Sequence, residues 1–537
     1  MTRPFTLADV YEVMAEACPE RLALVAGDVR LTYAELDARA NRVANALRAT
    51  GIDTGAHVAI LSWNRAEWIE TMLGCYKARL VPINVNYRYV ADELCHVLAD
   101  SDAQALVVER SFLPTIATIR DQLPMLRSIL VIDDGSDAEI PDDARRYEDT
   151  LADASPTADV GTRSPDDRYI LYTGGTTGLP KGVVWRQEDI FFGAIGGGNP
   201  YAPPIAKPED LAANVDKDPL IQVILPPMMH GGGQWMFFIT TCLAGTVVLW
   251  TGHTLDPDTV LRLIERERAH MLMVVGDAMA RPIIDHYARD PSAYDLSTLA
   301  VLGSGGAILS PAVKDAIRTL LPNVMVSDSF GASETGANGS VHDHGGPAAG
   351  PRFTLAEHTK IVDDEFRPVA PGVVGRLARS GHIPLGYYKD EEKTAATFVT
   401  DADGVRWVVP GDFARVENDG TITLLGRGSV SINTGGEKVF PEEVEAVLKA
   451  HPDVFDAVVV GVPDARYGER VAAVVAPRDG AVPTLDTLTA HCRTSLAGYK
   501  VPRHVVLIDE IVRTPAGKPD YRWAKATAAQ ALTVAAS

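Results

Sequence analysis

Residues 172–184 read "YTGGTTGLPKGVV", a run rich in glycine and threonine that carries a single lysine. Just before it stands "RYILY" (168–172), a short apolar stretch of strand formers. A strand breaking into Gly174, Gly175 and Gly178 leaves a turn whose backbone N–H groups can converge on an anion, because glycine tolerates the φ values such a cradle needs. Thr173, Thr176 and Thr177 add hydroxyl donors, and Lys181 adds a point charge. The pattern is not the Walker-type loop, which needs Gly-Lys-Ser/Thr. Here Leu179 and Pro180 separate Gly178 from Lys181, and Gly182 follows. A cradle for a phosphate chain and a flexible connector without a ligand both fit this run taken alone.

At 537 residues the chain is too long for one core and predicts at least two domains. A hydrophobic share of 46% with 23% charged residues is that of an ordinary globular protein. Fifty basic against 71 acidic residues give a net charge of −21, which argues against a nucleic-acid partner. The five cysteines are scattered without CxxC spacing, so neither a disulfide framework nor a zinc site is indicated, and a cytoplasmic location is expected. The opening "MTRPFTLADVYEVMAEACPE" contains acids and does not read as a signal peptide. The longest apolar run, Trp235 to Trp250, is shorter than the roughly 20 residues of a membrane span and is read as buried helix and strand.

Outward from the glycine-rich run, helical and strand patterns alternate. "YAELDARANRVANALRATG" (33–51) has apolar residues at helical spacing and stops on glycine; "HVAILS", "RAEWIETMLGCYKARL" and "VPINV" continue as strand, helix and strand. The theme recurs at "IQVILPP", "TVVLW" and "LDPDTVLRLIERERAHMLMVV", the signature of βαβ units and a parallel sheet. Residues 376–425 read as a smaller β-rich subdomain, and the last hundred residues as a separate α+β unit beginning near "PEEVEAVLKAH". The predicted fold class is therefore α/β: a large N-terminal domain of βαβ-type sheets with a β-rich subdomain (1–427), a hinge (428–433) and a small mobile α+β C-terminal domain (434–537).

Four further stretches carry chemistry. "SDSFGASETG" (327–336) sets Phe330 four residues before Glu334, an aromatic face suited to a purine and a carboxylate suited to a magnesium ion on phosphates. "VVPGDFARV" places Asp412 behind Gly411, where one carboxylate can accept from both hydroxyls of a ribose. Arg427 follows in "LLGRGS", and "TPAGKPDYR" offers Lys518 on a Pro/Gly-rich loop.

In this order the motifs resemble the adenylate-forming superfamily of acyl-CoA synthetases, luciferases and peptide-synthetase adenylation domains, over nearly the whole chain. The resemblance implies two steps at a domain interface. ATP and a carboxylate give an acyl-adenylate and diphosphate, and a thiol, usually of coenzyme A, then displaces AMP. It implies that Thr173, Gly174, Gly175, Thr176, Thr177, Gly178 and Lys181 embrace the β- and γ-phosphates. Phe330 would stack on adenine with Asp328 near its amino group and Ser329 between them; Ser333 would touch the α-phosphate and Glu334 would hold Mg2+. Asp412 would bind the ribose, supported by Arg427. Lys518 would bridge the carboxylate and the α-phosphate during adenylation. Gly435, Gly436 and Glu437 would face the site for thiolation. The hinge position falls on Val430, where the family commonly has Asp or Lys, and Asn433 replaces a common lysine.

By the same resemblance "PPMMHGGGQWMFF" (226–238) lines the acyl pocket, with His230 gating it and Trp235 in its wall. A hydrogen-bonded core histidine is the competing reading of His230. "GSGGA", with Gly303, Gly305, Gly306 and Ala307, would form another wall, its small residues suiting a long or bulky acyl group. "SINTGGEKVFPEEVE" and "GKPDYRWAK" resemble an actinobacterial subgroup acting on fatty acids and steroid side-chain carboxylates. The expected ligands are ATP, Mg2+, coenzyme A and a small carboxylic acid. Loading of a separate carrier protein is the alternative to coenzyme A.

Overall fold

The computed structural model describes residues 3–157, 161–175, 178–199, 202–307, 309–343, 352–434, 437–464, 467–514 and 518–536. Helix starts follow local chemistry. Thr32 caps the Tyr33–Ala49 helix, its hydroxyl accepting from the Glu35 N–H while the Glu35 carboxylate accepts from the Thr32 N–H. The buried face of this helix packs on the Ala66–Lys77 helix, where a Cβ on Gly74 would lie 2.6 Å from that of Val43. Only glycine permits that approach.

Two sheets build the N-terminal body. In one, Leu22–Ala26, Thr246–Leu249, Ile221–Ile224, Met271–Val274, Val301–Gly305 and Met325–Ala332 run parallel in that spatial order. In the other, Arg168–Gly175, Val81–Asn84, His57–Leu61, Ala103–Glu109 and Ser128–Ile132 run parallel, as the βαβ pattern predicts. A helical layer fills the space between them and forms the largest apolar cluster, with Ile60, Tyr169, Trp185, Ile224 and Phe237. A further helical layer covers the far side of the first sheet through Leu272, Val274, Ile284 and Ile317. Both faces are buried, which is why these strands read as continuous apolar runs. The apolar run 235–250 resolves into the Gly231–Cys242 helix and the Thr246–Leu249 strand. Among the described residues no helix is long and apolar enough to cross a membrane.

Two details differ from the sequence reading. The β-rich part is joined to the first sheet, which the sequence did not indicate: Arg352–Leu355 pairs with Ile422–Arg427, so its strands continue that sheet through backbone hydrogen bonds. The glycine-rich run is the tip of a hairpin rather than a plain loop, with Arg168–Gly175 antiparallel to Gly178–Arg186 and Thr173 opposite Lys181.

The chain leaves the first sheet at Arg427, makes one helical turn over Gly428–Val430 and enters a third sheet at Ile432. That sheet, built on the long antiparallel pair Val454–Asp464 and Gly468–Pro477, has its own apolar clusters on both faces. The molecule is thus α/β with a large N-terminal and a smaller C-terminal domain.

Candidate active site

The hairpin tip is anchored by a buried amide. Asn84 donates to the carbonyls of Tyr172 (2.8 Å) and Met229 (2.6 Å) and accepts from the Tyr172 N–H (2.7 Å). Three bonds to one buried side chain tie the phosphate-type hairpin to the segment before His230. His96 meets the Pro180 carbonyl at 3.0 Å, fixing the hairpin's other arm. Gly174 is exposed, and a Cβ there would meet only the Tyr89 hydroxyl, at 3.9 Å. Lys181, with 43% of its side chain exposed, ion-pairs with Asp390. Thr176 and Thr177 lie outside the described residues.

Phe330 and Glu334 come from the end of Met325–Ala332 and the turn after it. The Phe330 ring rests over Gly339, whose Cβ would sit 2.7 Å from it, and is backed by Phe353 at 4.7 Å. Gly336, at φ +68°, lets the turn close against the Gly193 carbonyl, where a side chain would collide. Trp185 donates to the Ser333 carbonyl at 2.9 Å, and Glu334 is buried with Tyr387 donating to it at 3.0 Å. Ser329 donates to the Ser304 carbonyl at 3.1 Å, linking this strand to the glycine-rich strand beside it. Asp328 is directed beneath the sheet, where Lys314 pairs with it at 2.6 Å. Its burial pushes the carboxyl upward in pKa, opposed by Lys314. Any contact of Asp328 with a purine amino group must therefore be made by a carboxylate already held by Lys314. Asp412 and Arg427 stand opposite each other in register across their two strands, with the Arg427 side chain outside the described residues.

His230 caps the Gly231–Cys242 helix, half-buried at the head of the cleft. Its pKa is pushed down to about 4, first by burial, then by the positive charges of Lys518 and Arg88. The imidazole is neutral at pH 7, and the charge of Lys518 on the C-terminal loop reaches it. That loop is closed by the Thr514 N–H donating to the Lys518 carbonyl at 2.7 Å. Arg88 lies over Tyr87, which stacks on Trp63 at 3.7 Å.

The acyl wall departs from the simplest reading of its glycines. A Cβ on Gly303 would meet Met271 at 2.8 Å and Met273 at 3.0 Å, and one on Gly305 would meet Ser329 at 3.0 Å. The space above these glycines is filled by methionine rather than left open, and methionine is the side chain that repacks most readily. Gly306 carries φ +84° and Ala307 follows it at the strand end. Trp235 covers Gly231 and donates to the Tyr169 hydroxyl at 3.2 Å, so its indole belongs to the helical layer.

Of the residues expected for thiolation, Gly435 and Gly436 lie outside the described residues, and Glu437 is exposed at the start of a short strand. Val430 ends the helical turn between the sheets. The C-terminal unit meets the body through Arg478 and Asp285 (2.8 Å), Arg281 and the Lys449 carbonyl (3.3 Å), and Phe413 beside Phe440 (5.8 Å). Lys314, Asn84, Tyr387 and Asp390 were not singled out from the sequence. "LGYYKD" (385–390) offered a signal for the last two, since a polar aromatic followed by a helix-capping aspartate stands beside glycine.

The AMP-binding enzyme family matches residues 11–388, and the AMP-binding enzyme C-terminal domain matches residues 443–518. The chain is 47% identical to the 3-oxocholest-4-en-26-oate–CoA ligase of Rhodococcus rhodochrous, over 97% of this chain and 95% of that one. It is 48% identical to a medium/long-chain-fatty-acid–CoA/3-oxocholest-4-en-26-oate–CoA ligase of Mycobacterium marinum, over 98% and 97% respectively. Among solved structures, ATP-bound MatB from Rhodopseudomonas palustris superposes with a TM-score of 0.82 at 25% identity, covering 98% of this chain and 99% of that one. With both family domains in place and the relatives matched almost end to end, the chain belongs to the AMP-binding enzyme family.

Proposed function

We propose that the protein is an ATP-dependent acyl-CoA ligase that converts a carboxylate, ATP and coenzyme A into acyl-CoA, AMP and diphosphate through an acyl-adenylate. The observation that carries this reading is the meeting, at one cleft, of the hairpin bearing Lys181, the turn bearing Glu334 and the loop bearing Lys518, whose charge is felt at His230. Thr173 to Lys181 embrace the β- and γ-phosphates, Phe330 stacks on adenine, and Ser333 meets the α-phosphate. Asp412 binds the ribose with Arg427 beside it.

In the first step a carboxylate oxygen attacks the α-phosphorus and diphosphate leaves. Lys518 stands between the two anions and stabilises the charge that develops as they approach. Neutral His230 adds no positive charge at the cleft head, leaving that task to Lys518. In the second step the coenzyme A sulfur attacks the acyl carbonyl and AMP leaves. Val430 lies in the pivot (428–433) about which the C-terminal domain (434–537) turns, withdrawing Lys518 and bringing Gly435, Gly436 and Glu437 to the cleft.

A magnesium ion fits the donors present. Among the described residues no group of three or more His, Cys, Asp or Glu could hold a metal alone, and magnesium is commonly held by one or two carboxylates plus substrate phosphates. Glu334 supplies such a carboxylate. The ion, when bound, neutralises charge on the triphosphate.

The acid is a long or bulky apolar one, a fatty acid or a steroid side-chain carboxylate. Two relatives named for such acids and an acyl wall of repackable methionines support this. Incubation with ATP, Mg2+, coenzyme A and an acid panel, read by mass spectrometry, tests it. A thioester of a C24 or C27 3-oxosteroid acid or of a medium- to long-chain fatty acid is expected, and products from short or aryl acids alone would overturn the substrate reading.

A further inference from the structure

The strand Gly386–Tyr387 pairs antiparallel with the phosphate hairpin, Tyr387 opposite Val183, and the Tyr388 N–H donates to the Gly182 carbonyl at 2.8 Å. The next residues are fixed by their own short helix. One Asp390 oxygen accepts from the Lys393 N–H (2.9 Å), the Asp390 carbonyl accepts from Thr394 (2.7 Å), and Thr394 in turn accepts from the Tyr387 N–H (2.9 Å). From this one segment two side chains reach the proposed site. The Tyr387 hydroxyl donates to Glu334 at 3.0 Å, and the second Asp390 oxygen pairs with Lys181. Tyr388 and Lys389 tether the segment's other face to Asp102 at 2.9 Å and 2.6 Å.

We infer that residues 386–394 form a positioning clamp that presents the magnesium carboxylate Glu334 and the phosphate lysine Lys181 in one geometry. This rests on the nucleotide-site roles proposed above. Glu334 is buried, so a hydroxyl donor held by backbone pairing sets which way its carboxylate faces. Lys181 is half-exposed on a long flexible stem, and a carboxylate locked as a helix cap limits the positions its ammonium samples. An ammonium has three donor hydrogens, so Lys181 can keep Asp390 and still serve phosphate oxygens. Tyr387 and Asp390 are positioning residues: neither needs to touch the nucleotide.

The test is equilibrium binding of ATP by calorimetry, in magnesium and in EDTA, for the full chain and the variants Tyr387→Phe, Asp390→Asn, Glu334→Gln and the Glu334→Gln/Tyr387→Phe double variant. Thermal unfolding of each reports its folding. Tyr387→Phe is expected to weaken binding about ten-fold in magnesium and to leave binding in EDTA unchanged. In the Glu334→Gln background the same change is expected to have no further effect. Asp390→Asn, which keeps the cap, is expected to weaken binding about ten-fold with or without the metal. Equal magnesium dependence in Tyr387→Phe and wild type, or an undiminished Tyr387→Phe effect when Glu334 is already Gln, would overturn the Tyr387 half. Unchanged or tighter binding in Asp390→Asn would overturn the Asp390 half. Wild-type protein that binds no ATP would instead overturn the functional reading beneath both.

Discussion

In the N-terminal body Lys77 is sealed between Glu12 at 2.6 Å and Asp37 at 2.8 Å, with Arg163 closing on Glu12 at 2.7 Å and Asp9 at 3.2 Å. In the C-terminal unit Lys449 pairs with Asp456 at 3.0 Å, while nearby Glu445 accepts from the Val459 N–H and the Tyr521 hydroxyl. The two clusters treat their glutamates oppositely. In the first, burial of Glu12 is outweighed by Arg163 and Lys77, which together hold its carboxyl down to about 2. In the second, burial wins over Lys449 and pushes Glu445 up to about 7. The N-terminal cluster locks three helices together inside one body. The C-terminal cluster sits at a seam, since the Lys449 carbonyl also accepts from Arg281 of the body. A cavity of about 100 Å3 remains there, lined in part by Arg281, Asp285, Lys449, His451 and Arg478. A few polar contacts and an unfilled gap suit a surface that parts and closes again, whereas the helical layer between the two large sheets has no reason to move.

The largest effect expected is on the first cluster. Lys77→Ala removes the buried ammonium that compensates the partly buried Glu12 and Asp37 and should cost about 3 kcal/mol in urea unfolding. Lys449→Met should cost less, about 1–3 kcal/mol, because Arg513 still holds Asp456 at 2.5 Å. Equal losses would erase the contrast between the clusters.

pH separates them next. Glu12 has a folded pKa of about 2 against an ordinary 4.5, so its stabilising contribution is present above 4.5 and lost as pH falls toward 2. Glu445 has a folded pKa raised to about 7, so its contribution is present below 4.5 and lost as pH rises through 7. Hydrogen exchange of the two domains between pH 5 and 8 should show protection of the C-terminal domain declining with pH while the body stays level on this account. A C-terminal domain whose protection rises over that range would contradict the Glu445 assignment.

The smallest effect on stability is expected at the seam. Arg478→Ala removes a pair in which both side chains are about a third exposed, so less than about 1 kcal/mol should be lost. Its signature should be kinetic instead. Diphosphate release should slow several-fold, with conversion of supplied acyl-adenylate to thioester unchanged, if this docking serves the first step of the proposed two-step reaction.

The parallel sheets and the glycine-rich turn after Tyr172 were legible in the sequence because each rests on local rules: apolar runs, and glycine where backbone must turn; that the turn closes a hairpin was not. What escaped was non-local. Lys181 and Asp390 are 209 residues apart, and nothing near either announces the other. Asn84 reads as a polar residue at a strand end until Tyr172 and Met229 are folded against it. Asp328 showed its residue type but not its direction, which the alternation of its strand turns toward Lys314. Gly303 and Gly305 were read as open space, yet packing gave that space to Met271, Met273 and Ser329. Residue size in a sequence does not say which neighbour takes the room.

The most direct measurement compares wild type with Lys518→Ala in the two half-reactions: diphosphate release from ATP and an apolar acid, and thioester formation from synthetic acyl-adenylate and coenzyme A. If Lys518 stabilises the adenylation step alone, the variant loses about 10²–10³-fold in the first and keeps the second. Full adenylation by Lys518→Ala, or equal loss in both halves, would contradict the role given to the C-terminal loop at this cleft.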